Sequence, residues 1–279
     1  MVTEKIFESA LGVQSPWHIA GIEFEPNRRQ LSIRVDFEIG SRFAVAGEAG
    51  EHPVHDTVTK RYRHLNFFQY ECSLEVQVPR VKLPDGAVRQ VSPPWAGMLS
   101  GFTLLFEAFV LALCREMTFS GVARVCGLSK HRVMSICERY VDTAVAVADL
   151  SEVRRLAIDE TSRAKGHDYV TLFADAERRA VLFVAEGNEA ATVEGFEANL
   201  CLHGGKPTQI EAVSMDMWPA FIKGVTEHFP QRADHVRQIS CDRSRLDRSR
   251  CDPAHRAEDR SEHQGAALGV AEGSLEAAV

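Results

Sequence analysis

Arg155-Leu-Ala-Ile-Asp159 and Ile210-Glu-Ala-Val-Ser-Met-Asp216 are two short apolar runs that each close on an aspartate, and the segments around them decide the fold. Tyr169-Val-Thr-Leu-Phe-Ala174 and Ala180-Val-Leu-Phe-Val184 read as strands paired across the turn Asp175-Ala-Glu177-Arg-Arg. One helix is expected over about 192–202 and a second from Pro219 to His228. Strand-strand-strand-helix-strand-helix is the order of a ribonuclease-H-like core, a mixed sheet with helices packed on it. In that order the two acid-bearing strands lie side by side, so Asp159 and Asp216 converge at one edge of the sheet. Carboxylates are hard ligands suited to Mg²⁺, which keeps positions open for phosphate oxygens and water. Such ions stabilise the attacking and leaving oxygens of an in-line phosphodiester displacement. Both aspartates are therefore candidate catalytic and metal-holding residues. Plainer roles compete with this: Asp159 as cap of a Thr161-Ser162 turn, and Asp216 as cap of the helix opening at Trp218-Pro219. Asp175 is read as a turn residue only.

Upstream, Thr118-Phe-Ser-Gly-Val-Ala-Arg-Val-Cys-Gly127-Leu-Ser-Lys-His-Arg-Val133-Met-Ser-Ile136 carries the spacing of a helix-turn-helix. A short helix holding Ala123 stops at Gly127, and Ser129 caps a second helix whose Val133 and Ile136 face inward. Lys130, His131 and Arg132 then fall in the first turn of that helix, where such modules meet DNA. A plain helical hairpin in a core is the competing reading. Before it, Leu99 to Cys114 is an apolar stretch of helix-forming composition, expected to be a buried helix and too short to span a bilayer. The first 95 residues read as strands and turns. Ile22–Phe24 and Leu31–Phe37 flank Pro26-Asn27, and Tyr70–Val78 and Ala87–Val91 flank Pro84-Asp85-Gly86, giving two expected hairpins.

The bulk numbers set limits on these readings. With 279 residues, 45% hydrophobic and 25% charged, the chain is globular material for about two small domains. The net charge of −7 argues against binding nucleic acid over the whole surface, since phosphate contacts need clustered Lys and Arg, and leaves a local basic face open. Seven cysteines without a C-x-x-C pair point to reduced thiols. No apolar run reaches membrane-spanning length and the start lacks a basic region leading into an apolar one, so no membrane partner and a cytoplasmic location are expected.

At the level of particular residues, the chain resembles the ISL-three family of insertion-sequence transposases. The resemblance runs from Val13 to Pro230, through Pro53-Val-His-Asp56, Arg63-His-Leu-Asn-Phe-Phe68, Val78-Pro-Arg-Val81, Pro94-Trp-Ala96, the helix-turn-helix, Ala157-Ile-Asp-Glu-Thr161, Gly166-His-Asp-Tyr169 and Ser214-Met-Asp-Met217 with Pro219-Ala-Phe-Ile-Lys-Gly224. It implies an amino-terminal zinc-finger-like module, a helix-turn-helix that recognises the element's terminal inverted repeats in double-stranded DNA, and a Mg²⁺-dependent core using Asp, Asp and a distant Glu. Asp159 and Asp216 fall on the first two acids. A homo-oligomer and a target DNA are further partners the resemblance brings.

Two departures stand out. Where family members often carry cysteines near the Pro-Val-His-Asp motif and the later proline turn, this chain has His52 and Leu83. His52, His55 and Cys72 are too few for a zinc site, which needs about four N or S ligands, so no zinc is expected. The second departure begins at Gln231, where the family's continuation gives way to a stretch rich in Arg, Asp and Ser. Codons allowed for Asp234 to Cys241 read one base later as I-T-F-D-K-F-H-V, and those for Ser249 to Gly269 as V-D-A-T-R-R-I-E-Q-K-T-D-P-S-I-K-G-L-R-W, both family-like. A frameshift near Gln231 is thus expected, with a truncated catalytic core, a disordered tail, and no role for Glu258, Asp259 or Glu262.

The expected fold class is α+β: a β-rich module over 1–97, a helical helix-turn-helix segment over 98–148, an incomplete ribonuclease-H-like core over 149–230 and an out-of-frame tail over 231–279. The expected function is that of an insertion-sequence transposase inactive in strand cleavage and transfer as this chain. The alternative is a DNA-binding-only product that inhibits transposition, and an unrelated nuclease of the same core fold does not explain the amino-terminal motifs.

Overall fold

The computed structural model describes residues 2–162, 169–216 and 218–229. The tail expected over 231–279, the residues Gly166–Asp168 of one motif, Met217 and Pro230 lie outside them. The chain divides into two compact units, one of residues up to Leu113 together with Phe119–Arg139, the other of Cys114–Thr118 and everything from Tyr140 on.

The first unit opens on helix α1 (Val2–Leu11), a correction to the strands and turns expected there. Phe7 and Leu11 recur at helical spacing and pack on the core of the sheet that follows. That sheet comprises β1 (Trp17–Glu25), β2 (Gln30–Phe37), β3 (Arg42–Ala44), β4 (Glu51–Arg63), β5 (Glu71–Lys82) and β6 (Val88–Gln90), in the order β1-β2-β5-β4-β3 with β6 also on β5. The β1–β2 and β5–β6 hairpins are those expected from their turns, the second closing on Gly86 at φ 87°. The parallel β2–β5 pairing and the long strand β4 were not foreseen. Ile33, Val35, Leu74 and Val76 are almost wholly buried along these strands, and each contributes roughly 1.5–3 kcal/mol by leaving water. Trp17 anchors an aromatic cluster, with its ring 5.2 Å from Trp95 and 5.3 Å from Phe43.

The β4–β5 hairpin explains several motifs as framework. Asp56 lies inside β4 and accepts both forks of the Arg80 guanidinium across the strand pair, which holds its carboxyl below the usual range. Arg63, at the end of β4, donates to the Cys72 carbonyl at 3.0 Å and lies 5.0 Å from the centre of the Phe106 ring. The imidazole of His64 shares a hydrogen with the Thr103 hydroxyl at 2.9 Å. Burial, aided by the charge of Arg63, pushes the His64 pKa down to about 4. His64 is therefore neutral when folded, while the unfolded chain binds a proton near pH 6.5. Its stabilising contribution is complete above that value and is lost as pH falls toward about 4. The unfolding free energy obtained from urea titrations is expected to fall across this window by on the order of 2–3 kcal/mol, and His64→Gln should flatten the decline. An unchanged pH profile in that variant would count against the assignment.

Helices α2 (Leu104–Glu116), α3 (Phe119–Cys126) and α4 (Lys130–Ala146) follow. Helix α2 is not buried all round as expected: Phe106, Val110 and Leu111 are inside, but Leu105 and Phe109 face outward. It also starts later than Leu99, because Gly97–Thr103 first forms a short bridged segment beside the end of β4.

In the second unit, β7 (Arg155–Ser162), β8 (Tyr169–Asp175), β9 (Ala180–Glu186) and β10 (Ala212–Met215) form one sheet in the order β10-β7-β8-β9. The β7–β8 and β8–β9 pairs are antiparallel, and β10 joins β7 in parallel. Helices α5 (Ala190–Leu202) and α6 (Pro219–His228) supply Val193, Phe196, Leu200, Phe221 and Val225 to a core with Leu156, Ile158, Phe173, Val213 and Met215. Gly224 permits their close approach, since a Cβ there would stand 2.9 Å from that of Val193. This is the expected mixed sheet with the expected helices, giving an α+β protein with a β-rich amino-terminal part. One strand differs: β7 does not stop at Asp159 but runs on through Ser162, so Thr161-Ser162 is not a turn for Asp159 to cap.

Candidate functional site

Pleating sorts the residues of β7 and β10. Leu156 and Ile158 of β7, and Val213 and Met215 of β10, are buried in the helix-covered core. Side chains alternate along a strand, so the residues that follow, Asp159 and Asp216, belong to the opposite face, and both are exposed. The register pairs Met215 with Ile158. Asp216 thus leaves the end of β10 at the level of Asp159 on the adjoining strand, where parallel neighbours stand about 4.8 Å apart. Two elements distant in sequence bring two carboxylates to one sheet edge.

Asp159 accepts the amide hydrogen of Glu160 at 2.9 Å through Oδ1. The carbonyl of Asp216 accepts the Trp218 amide at 2.8 Å, and Trp218, not Asp216, is the N-cap of α6, ahead of Pro219 at the first helical position. Glu160 points away from the pair, and its carboxylate accepts from the Asn188 amide at 3.0 Å. Asp175 is buried in its turn, accepting the amides of Glu177 and Arg178 at 2.8 and 3.1 Å. It is a turn residue, as read from the sequence. Two exposed carboxylates on adjacent strand ends fit a Mg²⁺ ion, which takes one or two protein carboxylates and fills its remaining positions with water and phosphate oxygens. Among the described residues no three His, Cys, Asp or Glu side chains gather into a metal-holding group.

The first unit holds the helix-turn-helix. Helix α3 buries Val122, Ala123 and Cys126, the chain turns through Gly127 at φ 66°, and the Ser129 hydroxyl accepts the Arg132 amide at 3.3 Å as the cap of α4. Val133 and Ile136 are fully buried, as their spacing requires. Lys130, His131 and Arg132 are all exposed in the first turn. Arg132 has in addition an intramolecular role that the sequence did not reveal. Its Nη2 donates to the Ser100 carbonyl at 3.2 Å and its guanidinium stands 4.4 Å from the centre of the Phe102 ring. The signal was a nearby aromatic in a glycine-flanked segment, Gly101-Phe102, which spacing alone does not link to α4.

A helix-turn-helix followed by a mixed sheet of this strand order is the arrangement that the sequence resemblance implies for a transposase, and comparison with known proteins supports that class. Residues 91–141 match the model of the helix-turn-helix domain of transposase family ISL3, and residues 156–238 match the ISL3 DDE model, described as a transposase. The chain is similar to the transposase for insertion sequence element IS1557 of Mycobacterium tuberculosis, 28% identical over 233 residues that make up 81% of this chain and 52% of that protein. It is similar also to the transposase for IS1001 of Bordetella parapertussis, 29% identical over 235 residues, 83% of this chain and 57% of that protein. The two matched segments are those of the ISL3 (ISL-three) family of insertion-sequence transposases, and both relatives support that family for this chain. It spans about half the length of the curated relatives it matches.

Proposed function

We propose that this chain binds double-stranded DNA at the terminal inverted repeats of an insertion sequence through α3 and α4, and that it carries two of the three acids of a Mg²⁺-dependent strand-cleaving site. The observation that carries the second half is the Ile158–Met215 register, which aligns Asp159 with Asp216 on adjacent parallel strands. Asp159 and Asp216 would hold the ion, which when bound supplies charge stabilisation to the oxygens of the phosphodiester. Lys130 and the amino-terminal end of α4 present positive charge to DNA phosphates, with the exposed ring of His131 beside them as a hydrogen-bonding group. Arg132 shares that turn, with part of its donor capacity committed to Ser100.

The reading frame changes near Gln231. The match to the ISL3 DDE model stops at residue 238, close to that point, and residues 234–269 allow a family-like continuation one base on. Among the described residues β10 is also an edge strand, with one side of its backbone available to the I-T-F-D-K-F-H-V segment that the shifted frame supplies. A shift near Gln231 places residues 231–279 out of the family's frame, and the chain then acts as a DNA-binding product that competes with an intact copy. The nucleotide sequence after codon 230 decides the point, since a shifted frame without those segments removes the basis for it.

The binding half is tested by gel shift on a duplex of the element's terminal repeat over a range of salt. Each phosphate contact contributes about 0.9 to the slope of log K against log salt. Lys130→Ala should lower the slope by about that amount. Arg132→Ala should weaken binding with a smaller change in slope, because it also loosens the docking of α4. Binding unaffected by both substitutions would remove the helix-turn-helix from the interface.

A further inference from the structure

Away from the helix-turn-helix, one end of the first unit's sheet carries exposed aromatic side chains in a strained backbone. The connection from β4 to β5 tightens to a two-residue turn, in which Phe67 and Tyr70 exchange both backbone hydrogen bonds at 2.9 and 3.0 Å across Phe68-Gln69. Phe68 sits there at φ 53°, and its side chain is 80% exposed. Turns of this kind take glycine or asparagine because a side chain at positive φ collides with its own backbone. A phenylalanine is among the costliest choices, and strain of this sort collects at functional positions. The core does not repay it, because the Phe68 ring is exposed, with Phe67 as its aromatic neighbour among the described residues, centroid to centroid at 4.8 Å.

The surroundings have a consistent chemistry. Phe67 is propped from behind by Phe7 at 5.5 Å, and Phe24 packs on Tyr70 at a tilt with centroids 4.5 Å apart, so the tip is backed by a wall of rings. Asn66 and Gln69, both exposed, bracket the two phenylalanines with amide groups. The β1–β2 turn stands alongside, joined by the Glu71 amide donating to the Arg29 carbonyl at 2.8 Å, and it presents Arg28 and Arg29. Arg29 is a second non-glycine residue at positive φ, 52°, at the same end. The acids there are engaged by arginines, Glu25 by Arg28 at 3.5 Å and Glu71 by Arg63 at 3.2 Å.

We propose that the Phe67-Phe68 tip is a second DNA-contacting element of this unit, an aromatic wedge that enters the minor groove and stacks against a base step that has come unstacked. Proteins that deform duplexes from the minor groove combine an inserted apolar side chain with Asn, Gln and Arg at its margins, which is the set assembled here. A narrow convex tip of two rings on a stiff turn fits between bases, whereas a protein partner favours a broader, flatter apolar surface. The inference rests on the DNA-binding reading above and adds to it a preference for duplexes that unstack easily.

The test compares the full chain with Phe68→Gly on two fluorescein-labelled duplexes of the terminal repeat, one fully paired and one with a single central mispair. Glycine relieves the positive-φ cost, so the variant should unfold at no lower urea concentration than the parent, and lost binding cannot be put down to misfolding. The parent should prefer the mispaired duplex by about tenfold, the scale of one base–aromatic stack, and Phe68→Gly should bind the two alike. Equal preference in parent and variant would overturn the wedge while leaving the helix-turn-helix reading intact. A parent that binds neither duplex would overturn both. A variant altered only in self-association by sedimentation would overturn the wedge in favour of a contact with a second copy.

Discussion

Replacing Asp159 or Asp216 by Asn in a chain whose reading frame is restored after codon 230 is expected to abolish cleavage of element-end DNA in Mg²⁺ while leaving DNA binding in place. Asp216 follows the end of β10 at the level of Asp159 on β7, as the Ile158–Met215 register sets it, so both carboxylates would serve the same ion. An amide retains the shape of the side chain but gives up the negative charge that makes the oxygen a good ligand for a hard dication. Loss of one electrostatic stabiliser of a reacting centre costs roughly 10²–10³-fold in rate, and these side chains would hold the ion itself. Both residues are exposed, so the substitutions should not disturb folding. The measurement is release of a labelled strand from a terminal-repeat duplex, with a gel shift as the control. Restored chains that cleave equally well with Asn at either position would take both aspartates out of the site. Cleavage by the chain as written would show instead that residues 231–279 complete it.

The second large effect concerns stability. Glu107 is fully buried in the first turn of α2 and accepts the amides of Met98 and Leu99, both at 2.8 Å. Glu107→Ala leaves those two amides without their acceptor inside the protein, at a cost of about 3 kcal/mol or more. Gly97→Ala should be comparably harmful by a different route, since its Cβ would stand 2.4 Å from the Glu107 carboxyl carbon. Because both act on one contact, the double variant should be far less than additively destabilised. Urea unfolding followed by fluorescence of the buried Trp17 and Trp95 reports on this unit. A Glu107→Ala midpoint close to the parent's, or strict additivity in the cycle, would show that the carboxylate does not hold this segment. The segment includes Ser100 and leads into Phe102, the groups that Arg132 grips from α4, so its loosening should weaken DNA binding as well.

The parts of the fold that were legible in the sequence are those fixed by local rules. Gly127 and Ser129 stop one helix and start the next, Pro84-Asp85-Gly86 turns β5 into β6, and Pro219 opens α6, each through backbone chemistry confined to a few residues. The placement of Asp159 and Asp216 was legible too, because alternation along β7 and the order of elements put both at neighbouring strand ends; their role is the proposal made above. What escaped notice depends on distant partners. Strand β4 alternates regularly in exposure, but Asp56 and Lys60 fall on its more covered face and hide that period in the sequence, so the strand is seen only with β5 and β3 flanking it. The parallel β2–β5 pairing leaves no mark on either strand's own sequence. Helix α1 did leave one, the helical spacing of Phe7 and Leu11, which was overlooked beside the stronger strand patterns that follow. Arg132 looks like any exposed basic residue of a recognition helix until Phe102 and Ser100 are seen beneath it.

The parallel contact between β7 and β10 has a bearing on how the chain acquires its acid pair in time. The β7–β8 and β8–β9 pairs are neighbours in sequence and close short loops, whereas β10 reaches β7 only after two further strands and α5 have been passed. Short loops close at the least entropic cost, so the three-stranded meander is the natural early product and the parallel strand the late one. During synthesis Asp159 is therefore exposed on a sheet edge well before Asp216 arrives beside it. If the two aspartates share an ion, that site would be completed only at the last step of folding in this unit.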